Sequence, residues 1–130
     1  MIYESHHVSV AIARSPAEVY AFAANPANLP RWAAGLTGSI ANVDGRWLAE
    51  TPDGPVEVAF TPPNEVGVLD HDVTFPSGQR FYNPMRVFAN ADGSEVVFTV
   101  YRREGTSREA FEADAVAVLT DLRVLKSLLE

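Results

Sequence analysis

The chain contains no cysteine. This absence excludes disulfides, thiolate zinc sites and cysteine nucleophiles, and it is compatible with a reducing cytoplasm, where we expect the protein. Positive charge is scarce as well, because 10 Lys and Arg stand against 17 Asp and Glu, for a formal net charge of −7. Nucleic-acid binding needs clustered Lys and Arg, so we expect no nucleic-acid partner.

Long apolar runs and ligand-type motifs are also missing. No run approaches the ~18 residues that a membrane-spanning helix needs, so we expect no membrane span. His6 and His7 are adjacent on an extended segment, so their side chains point to opposite faces, and no His-x-x-x-His spacing occurs. The glycines lie at turns and form no phosphate-binding loop. We therefore expect neither a metal site nor a cofactor.

What is present begins with one strand and two short helices. Alternating apolar residues over 8–13 predict a half-buried strand. Ser15, Pro16 and Glu18 then form a helix start, since Ser15 can cap the free N–H groups and Pro16 suits the first helical position. Asn25 and Pro26 repeat this signal, which predicts a second short helix that carries Trp32.

Beyond Gly38 the pattern changes from helical to alternating, with turn sequences between the segments. Short turns between consecutive strands predict an antiparallel meander. The six predicted strands cover 39–43, 46–51, 56–61, 66–75, 81–89 and 95–103. In the fourth, Leu69 and His71 lie on the more apolar face and are expected inside, whereas Asp70 and Asp72 are expected in water.

The chain continues with one long amphipathic helix, capped by Thr106 or Ser107. Apolar residues recur on it at spacings of four and three, which gives one buried stripe. The stripe consists of Phe111, Ala115, Val118, Leu122, Leu125 and Leu129. Asp121 and Arg123 lie off the stripe and are expected to face water. A curved sheet is the only large partner for this helix, and such a pairing tends to leave an apolar hollow.

Several segments of this sequence carry a family resemblance: VSVAIARSPAEVY (8–20), NLPRW (28–32), PMRV (84–87) with DGSEVVF (92–98), and DLRVLK (121–126). Together with the order β-α-α-β6-α, they resemble the START-like (SRPBCC) superfamily, and in particular its polyketide cyclase/dehydrase and lipid-transport branch. The resemblance implies a single START-like domain over 1–130 with the α+β helix-grip fold. In that fold a curved antiparallel sheet wraps around a long C-terminal helix. It also implies a cavity for hydrophobic ligands, used in some members for catalysis and in others for transport.

The expected cavity lies between the sheet and the last helix, and its predicted lining is mostly aromatic. The candidate ligand-binding residues are Trp32, Trp47, Phe60, His71, Phe75, Phe81, Met85, Phe98, Phe111, Val118 and Leu122. His71 is also the catalytic candidate, because an imidazole in an apolar hollow can transfer protons near neutral pH. The alternative for His71 is an ordinary buried histidine satisfied by a neighbouring strand, and for the tryptophans it is core packing.

Three functions follow as hypotheses. The favoured one is binding of a small hydrophobic molecule, aromatic or acyl, without catalysis. The second is a cyclase, aromatase or dehydratase in which His71 moves a proton and a tyrosine or arginine, such as Tyr82, Tyr101 or Arg86, stabilises an enolate. The third is an interaction module or homodimer that uses apolar residues of the outer sheet face. That outer patch comprises Val68, Phe88 and Val97.

Overall fold

The computed structural model describes residues 1–36 and 38–130. The first elements are strand β1 (Glu4–Ile12), helix α1 (Pro16–Ala23), a 3-10 turn (Pro26–Asn28) and helix α2 (Leu29–Trp32). Both predicted helix starts are present. The hydroxyl of Ser15 accepts a hydrogen bond from the backbone N–H of Glu18 at 3.2 Å, and Oδ1 of Asn25 accepts one from the N–H of Ala27 at 3.1 Å. The Ser15 cap fixes where α1 begins after β1, and the Asn25 cap fixes where the 3-10 turn begins after α1.

Seven further strands and the long helix follow: β2 (Ile40–Val43), β3 (Arg46–Thr51), β4 (Gly54–Phe60), β5 (His71–Thr74), β6 (Arg80–Asn83), β7 (Met85–Asn90), β8 (Gly93–Arg102) and α3 (Arg108–Leu129). The strands form a five-stranded sheet in the order β2-β3-β4-β5-β6 and a three-stranded sheet in the order β1-β8-β7. All pairings are antiparallel. The predicted α+β class and the closing helix are therefore confirmed.

The strand predicted over 81–89 is two strands, divided at Pro84. A proline has no N–H to donate to a sheet, so the pairing changes there. Strand β6 pairs with β5 of the larger sheet, and β7 pairs with β8 of the smaller one. The chain just before β5 also pairs with β7, since the N–H of Leu69 donates to the Met85 carbonyl at 2.8 Å. One bent stretch of chain thus joins the two sheets.

Gly67 lies at this junction. Its φ is +74°, which favours glycine, and its carbonyl accepts a hydrogen bond from the N–H of Val87 at 3.0 Å. A Cβ at this position would overlap the carbonyl oxygen of Val87. Only a glycine can therefore bring the segment before β5 this close to β7.

Asp70 corrects an expectation, because it is buried (6 % exposed) rather than in water. Its carboxylate accepts hydrogen bonds from the Tyr82 hydroxyl at 2.5 Å, the Met85 N–H at 2.8 Å, and Nε and Nη2 of Arg86 at 3.0 and 2.8 Å. Simple alternation placed Asp70 outside, but the partners at the β6–β7 junction close over that side of the chain. The Arg86 guanidinium, with help from Tyr82 and Met85, lowers the pKa of Asp70 to about 2.

Helix α3 packs on β1 and β8 through the predicted stripe. Phe111, Ala115, Leu122 and Leu125 are buried, and Val118 and Leu129 are partly buried against the same core. The side chain of Ser107 caps the helix by accepting a hydrogen bond from the N–H of Ala110 at 3.1 Å. Within the described chain, no helix combines the length and the apolar character needed to cross a bilayer.

The inner face of β8 is decided by burial. Val96 and Val100 are buried and Phe98 packs against the core, so this set, and not Val97 with Thr99, faces α3. Of the predicted outer patch, Phe88 is 50 % exposed, whereas Val68 and Val97 are partly buried. The homodimer stays a prediction.

Candidate functional site: an apolar cavity between helix and sheet

A cavity of about 190 Å³ lies between helices α2 and α3 on one side and the sheet on the other. It is lined by Leu29, Trp32, Ala33, Gly35, Leu36, Val58, His71, Val73, Phe98, Val118, Asp121 and Leu122. Most of these side chains are apolar. The hollow predicted from the closing helix and the curved sheet is thus present, and it is small.

Strand pairing brings the floor of the cavity together. Val58 of β4 is directly opposite Val73 of β5, and His71 precedes Val73 by two residues on the same face. The His71 ring lies 4.9 Å from the Phe60 ring and 5.7 Å from the Phe98 ring, measured between centroids. Because Phe98 belongs to β8, both sheets contribute to the same wall.

His71 is 7 % exposed and its Nδ1 lies 3.0 Å from the Leu69 carbonyl oxygen. A carbonyl can only accept, so Nδ1 carries the proton and Nε2 is left with a lone pair. Burial lowers the pKa of His71, although the Leu69 carbonyl and the charges of Asp70 and Asp72 act in the opposite direction. The imidazole of this cavity-lining residue is therefore neutral at neutral pH, and its Nε2 is a hydrogen-bond acceptor.

Trp32 is 5 % exposed and its indole Nε1–H has no hydrogen-bond partner among the described residues. Leaving a buried donor unpaired costs about 1–3 kcal/mol. No other buried side-chain nitrogen or oxygen of the described residues is in this state. The unpaired donor therefore belongs to a residue that lines the cavity, and an unsatisfied buried polar group of this kind calls for an explanation.

Asp121 corrects a second expectation, because it is partly buried in the cavity wall rather than facing water. Its Oδ1 accepts a hydrogen bond from the N–H of Ala34 at 3.2 Å. This bond ties the turn after α2 to α3. Burial raises the pKa of Asp121, and the Ala34 N–H partly offsets that rise. Its position three residues after Val118 puts it at the edge of the apolar stripe, where the α2 turn covers it.

The predicted ligand-binding residues divide between this cavity and other places. Trp32, His71, Phe98, Val118 and Leu122 line the cavity together. Of these, Leu122 is fully buried and serves as both cavity wall and core.

The other predicted positions lie elsewhere. Trp47 and Phe60 border a separate surface groove. Phe75 and Phe81 contact each other at 5.3 Å between ring centroids, while Met85 and Phe111 are buried in the core. All these positions remain candidates on sequence grounds, but the structure does not bring them to the cavity.

The sequence candidates omit part of the lining. Val58 and Val73 could have been predicted as lining residues, because strand alternation places them on the same inner faces as Phe60 and His71. The turn formed by Ala33, Gly35 and Leu36 carried no periodic signal, so its place in the wall follows only from the tertiary structure.

The polar groups proposed as enolate partners lie outside the cavity. Tyr82 and Arg86 bind Asp70 on the other side of the chain. Tyr101 borders a different groove. Among the described residues, no group of three or more His, Asp or Glu side chains is arranged to hold a metal ion.

No protein-family model matches the sequence, and no curated protein matches it. Solved structures do match. A START superfamily protein from Mycobacterium smegmatis is 10% identical, with 96% of each chain covered and a TM-score of 0.73. XoxI from Bacillus cereus is 15% identical over 99% of this chain and 96% of its own, with a TM-score of 0.72. Ara h 8.0201 is 11% identical over 98% of each chain, with a TM-score of 0.67. At such identities the likeness shows the fold alone, and that fold is the predicted START-like helix-grip fold.

Proposed function

We propose that this protein binds a small hydrophobic molecule in the cavity between α3 and the sheet, without catalysing a reaction on it. The observation that carries the proposal is the apolar lining of a cavity of about 190 Å³. Apolar hollows with a few placed polar groups are the usual form of small-molecule sites. The START-like fold supports the proposal, because the resemblance seen in the sequence implies a ligand cavity at this place.

The volume favours a compact ligand. Sites for drug-sized molecules usually measure about 300–1,000 Å³, and an engineered cavity of about 150 Å³ holds one benzene molecule. A cavity of about 190 Å³ therefore accommodates one aromatic ring with a small substituent. Of the two ligand types expected from the sequence, this favours the aromatic over a long acyl chain, and it weakens lipid transport as a function.

Catalysis of the cyclase, aromatase or dehydratase kind is the second candidate, favoured by the neutral His71, which lines the cavity and keeps a lone pair on Nε2. Such a reaction also needs a group that stabilises the developing oxyanion. Tyr82 and Arg86 are engaged by Asp70 and do not line the cavity. If His71→Ala leaves the turnover of an aromatic polyketide substrate unchanged, this candidate is rejected. Binding without catalysis needs no such second group.

Filling the cavity tests the favoured proposal. In Val118→Phe the larger side chain takes the space that the ligand needs, so we expect toluene binding, measured by calorimetry, to weaken by at least about tenfold. Thermal stability should hold or rise, because the added carbons fill an existing hollow. Val116→Phe is the matched control on the same helix, since Val116 is 65 % exposed and lies outside the cavity.

Two results would contradict the proposal. One is equal toluene binding by Val118→Phe and the unchanged protein, which would place the ligand elsewhere. The other is no detectable binding of any apolar compound, tested from single rings to long-chain fatty acids.

A further inference from the structure

Two residues that line the cavity carry hydrogen-bonding groups of opposite sense. The indole N–H of Trp32 can only donate, and the structure gives it no partner among the described residues. His71 uses Nδ1 on the Leu69 carbonyl, which leaves Nε2 as an acceptor. Both residues are more than nine-tenths buried and both line the cavity. A ligand without polar atoms would leave the Trp32 donor unpaired and would give the His71 acceptor no partner.

We propose that the ligand is a neutral compound of about one ring that carries a hydroxyl group, a simple phenol being its type. A hydroxyl both accepts and donates, so it offers an acceptor to Trp32 Nε1–H and a donor to His71 Nε2. The inference rests on the proposed function, because it describes the ligand of the same cavity. It specifies the polarity and the size of the ligand, which the proposed function leaves open.

Charged ligands fit this wall less well. Among the described lining residues there is no lysine or arginine that would pair with a carboxylate, and Asp121 would repel one. Asp121 could instead attract an ammonium group. However, Asp121 is only partly buried and already accepts a hydrogen bond from the Ala34 N–H. Trp32 Nε1, in contrast, has no hydrogen-bond partner among the described residues. A neutral ligand with a hydroxyl group supplies the acceptor that the Trp32 donor lacks.

A series of single-ring compounds separates these contributions. Toluene can neither donate nor accept, anisole can only accept, phenol can do both, and benzylamine carries a positive charge at neutral pH. With the full chain at neutral pH, we expect phenol to bind about tenfold more tightly than toluene, and anisole to fall between them. A buried neutral hydrogen bond is worth roughly this factor.

Two variants assign the effect to its residues. Trp32→Phe removes the donor and should abolish the advantage of anisole over toluene. His71→Phe removes the acceptor, keeps a ring between Phe60 and Phe98, and should bring phenol down to the level of anisole. Tyr3→Phe is the matched control, because Tyr3 is 43 % exposed and borders a different groove. The readout is the ratio of two affinities within one variant, which a general loss of stability does not change.

The possible failures are distinguishable. Equal binding of toluene and phenol, or ratios that Trp32→Phe and His71→Phe leave unchanged, would overturn the hydroxyl inference while hydrophobic binding stands. Tighter binding of benzylamine than of phenol would overturn it in favour of a cation at Asp121. If larger apolar compounds bind but no single-ring compound does, the inference that the ligand has about one ring is wrong. Failure of every apolar compound would remove the proposed function as well.

Discussion

Asp70 is the residue at which the two sheets are held together. It precedes β5 in the chain, yet its carboxylate binds the Tyr82 hydroxyl on β6 and both the Met85 N–H and the Arg86 guanidinium on β7. Charge-assisted bonds of this kind are the stronger class of hydrogen bond. Four donors on one buried carboxylate therefore fix the bend at which the chain passes from one sheet to the other.

This arrangement makes stability depend on pH in the acid range. The folded-state pKa of Asp70 is about 2, below its ordinary value of 3.8. The stabilisation from its ionised form is therefore complete above pH ~4 and is lost as pH falls toward ~2, to a total of about 2 kcal/mol. We expect the difference in unfolding free energy between the unchanged protein and Asp70→Asn to shrink by that amount over this range, measured by urea denaturation.

Asp92→Asn is the control for this experiment, since Asp92 is exposed in the turn between β7 and β8. Its pH profile should run parallel to that of the unchanged protein. A profile of Asp70→Asn that is equally parallel down to low pH would show that the carboxylate contributes nothing to acid stability.

At the scale of elements, the β6–β7 junction depends on a backbone approach that only Gly67 permits. Gly105, in the loop before α3, shares the positive φ but has open space where a Cβ would point. An alanine at a positive φ costs about 1–2 kcal/mol from strain alone. We expect Gly105→Ala to lose about this much in urea denaturation, and Gly67→Ala to lose at least twice as much, because its Cβ also overlaps the Val87 carbonyl. Similar losses of unfolding free energy in the two variants would mean that the backbone at the junction shifts at little cost to make room for the Cβ.

The elements themselves were largely predictable, because their signals are local. The caps at Ser15 and Asn25 and the stripe on α3 depend on neighbours within four residues, and all are found where the sequence places them. The division at Pro84 was missed although proline is a known strand breaker, since alternation continues across it with Met85 and Val87 still inside. A sheet change of this kind leaves the period of the sequence intact.

The cavity was predictable only in part, for a related reason. His71 lies on a strand whose faces alternate clearly, so the pattern places it inside. On the last strand the pattern fits either face, and only the burial of Val96 and Val100 shows that Phe98 faces inward. The burial of Asp70 and Asp121 could not be read from the sequence, because it depends on segments that are distant along the chain. The β6–β7 bend covers one, and the turn after α2 covers the other.

At the scale of the whole molecule, the cavity is the place where the two sheets and α3 meet. Val58 and Val73 come from the larger sheet, Phe98 from the smaller one, and Val118 and Leu122 from the helix that packs on β1 and β8. A ligand held here contacts every layer of the fold at once. Its binding energy is therefore available only when both sheets are in place, and unfolding of either sheet releases it.

This predicts that a ligand stabilises both sheets equally. At a concentration of about 100 times its dissociation constant, a ligand specific for the folded state adds about 2.7 kcal/mol, or about a hundredfold in the unfolding equilibrium. We expect phenol to slow hydrogen exchange of the slowest amides in β4 and in β8 by the same factor. Val118→Phe, with its cavity filled, should show no slowing at the same phenol concentration. Protection confined to the amides of the α2 turn, with β4 and β8 unchanged, would mean that the ligand only closes a local opening and that the sheets unfold independently of it.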